Sequence, residues 1–138
     1  MAVMEGFWEN IIVVTAARYS VFVLCTLVFL AIFELVTSYK NWEEIKSGNF
    51  AVAMATGGKL FGIATIFRYS IEHNDSLLQS IGWGVFGFIL LLIGYLIFEF
   101  LTPTMKVDEE IGKGNNAVGF ISMIISVGLA FVIGASIE

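Results

Sequence analysis

Four long apolar runs constrain this 138-residue chain more than any other feature of its sequence. A helix needs about 20 residues to cross the hydrocarbon core of a bilayer. The runs are Arg18–Thr37 (which further apolar residues extend outward to Ile11), Phe50–Tyr69, Leu77–Thr102 and Ala117–Ile137. They lack the polar–apolar alternation of membrane β-barrel strands. The sequence therefore predicts an all-α membrane protein, with four transmembrane helices in a single domain over residues 1–138.

The composition favours a bilayer and limits the possible partners. Charged residues make up 14% of the chain, against about 25% in a soluble domain, and the mean hydropathy is +0.89. The net charge of −5 is carried by loops and tails, which argues against a nucleic-acid partner. The sequence has no metal-ligand cluster, nucleophile motif or phosphate-binding loop, and its one histidine, His73, lies in a polar loop. We therefore expect no enzymatic activity and no cofactor, and lipid as the main partner.

Basic residues predict the orientation in the membrane. The loop after the first run and the loop after the third carry four lysines: Lys40, Lys46, Lys106 and Lys113. The opposite side has only Arg18 and Arg68, which can extend their head groups to the interface. Because cytoplasmic loops are enriched in lysine and arginine, we expect both termini outside the cytoplasm. Interfacial aromatic residues are expected near the ends of the runs: Trp8, Tyr39, Trp42, Tyr69 and Trp83.

Two segments of the chain recur at nearly constant spacing. Ile32–Thr37 matches Ile97–Thr102 at four of six positions, and Glu43–Val52 matches Glu109–Val118 at seven of ten. The matching residues include Glu, Gly and Asn, so shared hydrophobicity does not explain them. The pattern predicts a duplicated two-helix unit, with repeat one at about 11–70 and repeat two at about 77–138. Since each unit has two spans, the repeats would be parallel, with an axis along the membrane normal.

The second recurring segment is called a box here: the first box is Glu43–Val52 and the second is Glu109–Val118. One interpretation is structural. A short interfacial helix follows Asn41, a glycine then allows a sharp turn, and an asparagine caps the next span. The alternative is a cytoplasmic docking or ion-attracting site. The residues concerned are Glu43, Glu44, Gly48, Asn49, Glu109, Glu110, Gly114 and Asn115, with Asn116 as an alternative to Asn115 for the second cap.

The four runs, the two boxes and the glutamate near the end of each odd-numbered run resemble a bacterial family, domain of unknown function 350, which includes YjfL-like inner-membrane proteins. The resemblance covers nearly the whole chain. It implies a location in the bacterial plasma membrane and a link to envelope stress. It supplies no catalytic residues, because the family has no assigned activity.

Small residues predict where helices pack closely in lipid. The fourth run has a ridge at four-residue spacing, Ser122, Ser126, Ala130 and Gly134. The second run has Gly58 and Gly62, and the third has Gly84, Gly87 and Gly94. These surfaces would pack either within one chain or between subunits.

Three ionisable residues are predicted to form a charge network inside the membrane. Lys59 lies nine residues into the second run, about 13 Å along a helix, which is near mid-bilayer. Glu34 and Glu99 lie about one turn inside the box side of their runs. Burying a charge in lipid is costly, so such residues are candidates for function. We expect Lys59 to pair with Glu34 or Glu99.

Two classes of function fit these features. The first is a non-enzymatic structural or envelope-stress-associated membrane component whose cytoplasmic loops bind a protein partner. The second is a subunit of an oligomeric ion channel or transporter. A four-helix bundle fills its own centre with side chains, so a wide pore would require a homo-oligomer.

Overall fold

The computed structural model describes residues 6, 10–102, 104 and 106–137, and these contain helices and no strand. The helices are α1 (Ile11–Val36), α2 (Asn41–Lys46), α3 (Phe50–His73), α4 (Leu77–Leu101), α5 (Val107–Gly112) and α6 (Asn116–Ser136). Helices α1, α3, α4 and α6 are long and apolar enough to span a membrane, which confirms the four predicted spans. Helix α3 runs one turn beyond Tyr69, so His73 is helical. The interfacial role expected of Trp8 falls outside the described residues.

Polar side chains cap all four long helices at their first turn. In each case an asparagine or serine oxygen accepts a hydrogen bond from a backbone N–H two or three residues further along the chain. The caps are Asn10, Asn49, Ser76 and Asn115. The second box therefore caps α6 through Asn115 and not through Asn116.

Helices α3 and α6 form the tightest helix pair. A Cβ built on Gly119 would lie 2.6 Å from the backbone oxygen of Ala51, and one built on Gly58 would lie 2.6 Å from the Cα of Met123. Only glycine allows the two backbones to approach so closely. The ridge of α6 faces this contact, and Ser122, Ser126, Ala130 and Gly134 are all buried.

Helix α1 is peripheral by comparison. Its buried residues, Phe29, Leu30 and Phe33, all lie in its second half. In the most apolar 18-residue stretch of α1 only 17% of the residues are buried, against 56% in the corresponding stretch of α3. The first half of α1 therefore has no buried residue and contacts the bundle mainly along a groove against α3.

Two apolar clusters divide the bundle along its length. We call the end that carries α2, α5 and the starts of α3 and α6 the box end, and the end that carries residues 74–76 the loop end. The cluster at the box end comprises Tyr39, Ala51, Val52, Ala55, Val107, Ile111 and Val118. The larger cluster extends from mid-bundle toward the loop end, and includes Phe29, Phe33, Ile63, Ile66, Phe88, Leu91 and Tyr95. Lys59 contacts residues of both clusters, and so lies between them.

Candidate functional site: a buried lysine and a polar chain

Lys59 is fully buried in the middle of the bundle, with 0% of its surface exposed. Its ammonium nitrogen donates a hydrogen bond to the Tyr39 hydroxyl at 3.0 Å. The same nitrogen lies 4.7 Å from the ring centroid of Tyr95, 5.2 Å from that of Phe33 and 5.3 Å from that of Tyr39. Aromatic faces attract a cation within about 6 Å, most strongly where water is absent. Three rings and one hydroxyl thus provide the immediate surroundings of a lysine inside the membrane.

Two tyrosines connect the lysine to a buried acid. The Tyr95 hydroxyl donates to the Asp108 carboxylate at 2.9 Å, and the ring of Tyr95 lies against the Lys59 ammonium group. Burial, reinforced by the negative charge of Asp108, raises the pKa of Tyr39 above its ordinary value. Tyr39 therefore keeps its proton. Lys59, Tyr39, Tyr95 and Asp108 form a buried polar group, which we call the polar chain. Two hydrogen bonds, Lys59 to Tyr39 and Tyr95 to Asp108, and the contact of Lys59 with the Tyr95 ring hold it together.

The polar chain reaches the surface at an open pocket of about 430 Å³ at the box end. Asp108 and Glu99 both line this pocket. Its other lining residues are Val36, Thr37, Ser38, Thr102, Lys106 and Glu109. Lys59 thus has a polar route toward one membrane face.

Buried hydroxyls add polarity at the level of Lys59. Thr56 lies one turn before Lys59 on α3, and Ser122 and Ser126 face this level from α6. Within the described part of the chain, none of these three hydroxyl oxygens has a hydrogen-bond partner. Buried polar atoms normally find partners. The surroundings of Lys59 are therefore more polar than the apolar cluster beyond it.

The predicted ion pair of Lys59 with Glu34 or Glu99 is wrong, because the nearest polar partner of Lys59 is Tyr39. Glu34 instead accepts a hydrogen bond from the backbone N–H of Asn41 at 3.1 Å and so stabilises the first turn of α2. Glu99 lines the pocket at the start of α5, beside Asp108. A charge network in which Glu34, Lys59 and Glu99 interact without direct contact stays a prediction.

Sequence reasoning missed three members of the polar chain. Tyr39 was expected to anchor the bilayer interface, yet its side chain is buried. Tyr95 had no signal within its apolar run. Asp108 stands in an acidic segment, but Val107 and Ile111 have the four-residue spacing of a buried helix face. That spacing could have indicated that α5 packs against the bundle, with its neighbouring acid inside.

The two boxes make the same local hydrogen bonds. Asn49 donates to the Glu44 carboxylate at 3.2 Å, and Asn115 donates to the Glu110 carboxylate at 3.0 Å. The glycine before each asparagine has a positive φ, 93° at Gly48 and 89° at Gly114, which a side chain would disfavour. The structural interpretation of these residues agrees with this geometry.

The outer surface of each box carries an exposed ion pair, and one hydrogen bond connects the first box to α5. Glu43 pairs with Lys40 at 4.0 Å, and Glu109 with Lys106 at 3.8 Å. Asn49 also donates to the backbone oxygen of Gly112 at 2.9 Å, which ties the first box to α5.

Within the described residues, no group of three or more His, Cys, Asp or Glu side chains is placed to hold a metal ion.

The fold and the site together define a helical membrane protein of four spans with a buried polar chain that opens at the box end. The chain belongs to the family described as Domain of Unknown Function (DUF350), whose model matches residues 6–137. It is 65% identical over 134 residues to UPF0719 transmembrane protein YshE of Bacillus subtilis (strain 168), covering 97% of this chain and 100% of that protein.

More distant relatives share less of the sequence. UPF0719 inner membrane protein YjfL of Escherichia coli (strain K12) is 24% identical over 104 residues, covering 75% of this chain and 77% of that protein. A UPF0719 transmembrane protein of Aquifex aeolicus (strain VF5) is 32% identical over 96 residues, or 68% of this chain and 35% of that protein. No solved structure matches the chain. These matches confirm the resemblance inferred from the boxes.

Proposed function

We propose that this chain is a non-enzymatic component of the bacterial plasma membrane that exchanges a proton between Lys59 and the pocket at the box end. The observation that carries the proposal is the polar chain, which joins a fully buried lysine to a pocket open at the surface. A purely structural bundle would gain stability from an apolar residue at this position. The geometry therefore favours the ion-handling class over the scaffold class.

The hydrogen bonds of the polar chain have a common direction. Lys59 donates to Tyr39, and Tyr95 donates to Asp108. If the Tyr39 hydroxyl points to the oxygen of Tyr95, a proton can leave the ammonium group as each hydroxyl passes its own proton onward. The products are a neutral lysine and a protonated Asp108, so no charge is left isolated inside the bundle. Reversal of the same steps returns the proton.

The opposite half of the bundle is closed. Beyond Lys59 the interior is filled by the apolar cluster that includes Phe29, Ile63 and Phe88. One bundle in this state therefore provides half of a pathway. Transport across the whole membrane would require a second packing arrangement or a path shared between subunits.

Nitrogen-15 NMR of the lysine side chains in lipid nanodiscs would test the proposal. We expect the Lys59 amine signal to titrate with bulk pH, and we expect Tyr95→Phe or Asp108→Asn to slow its proton exchange. Tyr19→Phe is the matched control, because Tyr19 is exposed and lies outside the polar chain. Exchange that is equally fast in all four proteins would contradict the proposal.

The scaffold class remains a second candidate because of the boxes. Their hydrogen bonds match, and both present an exposed lysine–glutamate pair at the same end of the bundle. We infer from this match that the two-helix unit was duplicated. A partner that recognises the paired acids would lose affinity in the Glu43→Lys, Glu109→Lys double variant. An envelope-stress reporter that responds to this variant and not to Lys59→Met would favour the scaffold class.

We also propose that the box end faces the cytoplasm and that both termini lie outside, on the lysine bias. Cysteine labelling of intact cells, after replacement of the native Cys25 by Ala, would test this orientation. Ser76→Cys, at the loop end, should react with an impermeant reagent, and Ser47→Cys should not. The opposite result would reverse the orientation and the membrane face to which the polar chain opens.

A further inference from the structure

A second cavity, unrelated to the polar chain, runs along the outside of the bundle. It is an open groove of about 750 Å³ between the first half of α1 and the second half of α3. Its α3 wall is one helix face, Leu60, Ala64, Phe67 and Ile71, and its α1 wall includes Tyr19, Phe22, Val23, Thr26 and Leu27. We infer that this groove binds one acyl chain of a phospholipid, with an anionic headgroup held at its loop end.

The groove lies where α1 has no residue buried against the bundle. Near the box end α1 is held by Phe29, Leu30 and Phe33, but it has no buried residue before Phe29. Phe67 forms the floor, with its ring centroid 5.0 Å from that of Phe22 and 5.6 Å from that of Phe29. The groove between the two helices therefore has an apolar base, which lipid chains of the bilayer must cover.

The polar end of the groove carries a net positive charge. Arg18 and Arg68 line it from the two helices, together with one acid, Glu72. Arg68 pairs with Glu72 at 3.0 Å, whereas Arg18 makes only a 3.5 Å contact with the backbone oxygen of Asp75. Guanidinium groups bind phosphate oxygens in a planar, two-point geometry. A lipid with a net negative headgroup is therefore favoured over a zwitterionic one.

The length of the groove suits an acyl chain. From Leu60 to Ile71 the groove is about 16 Å long, or three helical turns. One leaflet contributes about 15 Å of the roughly 30 Å hydrocarbon core, so the groove extends over the depth of one leaflet. Because the groove is open along one side, a helix from a second copy is the alternative occupant, and the Ala64→Trp variant described below distinguishes the two.

Native mass spectrometry of the chain released from nanodiscs of equal phosphatidylglycerol and phosphatidylcholine, with the same acyl chains, tests this inference. We expect one retained lipid and a several-fold excess of phosphatidylglycerol. The Arg18→Gln, Arg68→Gln double variant should keep a lipid but lose the preference. Lys106→Gln, Lys113→Gln, with equal loss of charge at the box end, should retain it.

A variant that fills the groove separates lipid binding from charge. Ala64 is exposed on the groove wall, so Ala64→Trp should preserve the fold, as checked by circular dichroism, and abolish retention of both lipids. Equal retention of the two lipids by the unaltered chain, or a preference that survives loss of both arginines, would overturn the inference. So would a lipid-free dimer that Ala64→Trp converts to a monomer, because the occupant would then be a second copy.

Discussion

Replacing Gly119 by alanine should separate the two most closely packed helices of the bundle. The added methyl group would lie 2.6 Å from the backbone oxygen and 2.8 Å from the Cα of Ala51. Ordinary contact begins at 3.4 Å, so α3 and α6 must move apart by about 0.8 Å at their crossing point, in an interior that packs without slack. Backbone atoms cannot rotate away as a side chain can. We expect a loss of about 1–3 kcal/mol, the usual cost of overpacking.

A second glycine on the same helix provides the control. A Cβ on Gly128 would have no neighbour within 4 Å, so Gly128→Ala should be neutral or slightly stabilising, because alanine is the better helix former. The measurement is the free energy of unfolding in mixed detergent micelles, with increasing denaturing detergent. If the two variants agree within about 0.5 kcal/mol, a range in which surface substitutions also fall, the close approach of α3 and α6 at Gly119 is refuted.

Three further experiments test the site, the boxes and the ridge of α6. In a double-mutant cycle on stability, Lys59→Met and Tyr39→Phe should show a coupling of about 1.5–3 kcal/mol, the range for a hydrogen bond to a charged group; additive effects would contradict the bond. Asn49→Ala should cost about 1 kcal/mol more than Asn115→Ala, because only Asn49 also donates to backbone oxygens of α5; equal melting temperatures would argue against that connection. Ser126→Leu should lower the melting temperature of the monomer through overpacking against α3, and an unchanged value would mean that this surface can relax.

The sequence predicted those features that depend on local pattern. Run length fixed the four spans, and residue type predicted Asn49 as a cap. Tyr39 was misassigned because a tyrosine near the end of a span suits the membrane interface and a buried hydrogen bond equally well. The direct pairing of Lys59 was wrong for a related reason. Depth along a helix can be counted from the sequence, but the direction in which Glu34 points around the bundle cannot.

The order in which the ribosome makes the helices gives the α3–α6 contact a consequence for biogenesis. Helix α3 is the least apolar of the four spans and carries Lys59, and the helix against which it packs most tightly ends 63 residues after His73. At about 5–20 residues per second, α3 waits roughly 3–13 s for α6. During that interval the insertion machinery, or the lipid headgroups, must accommodate the lysine. Efficient synthesis of this protein should therefore depend on how long the translocon can hold its first hairpin.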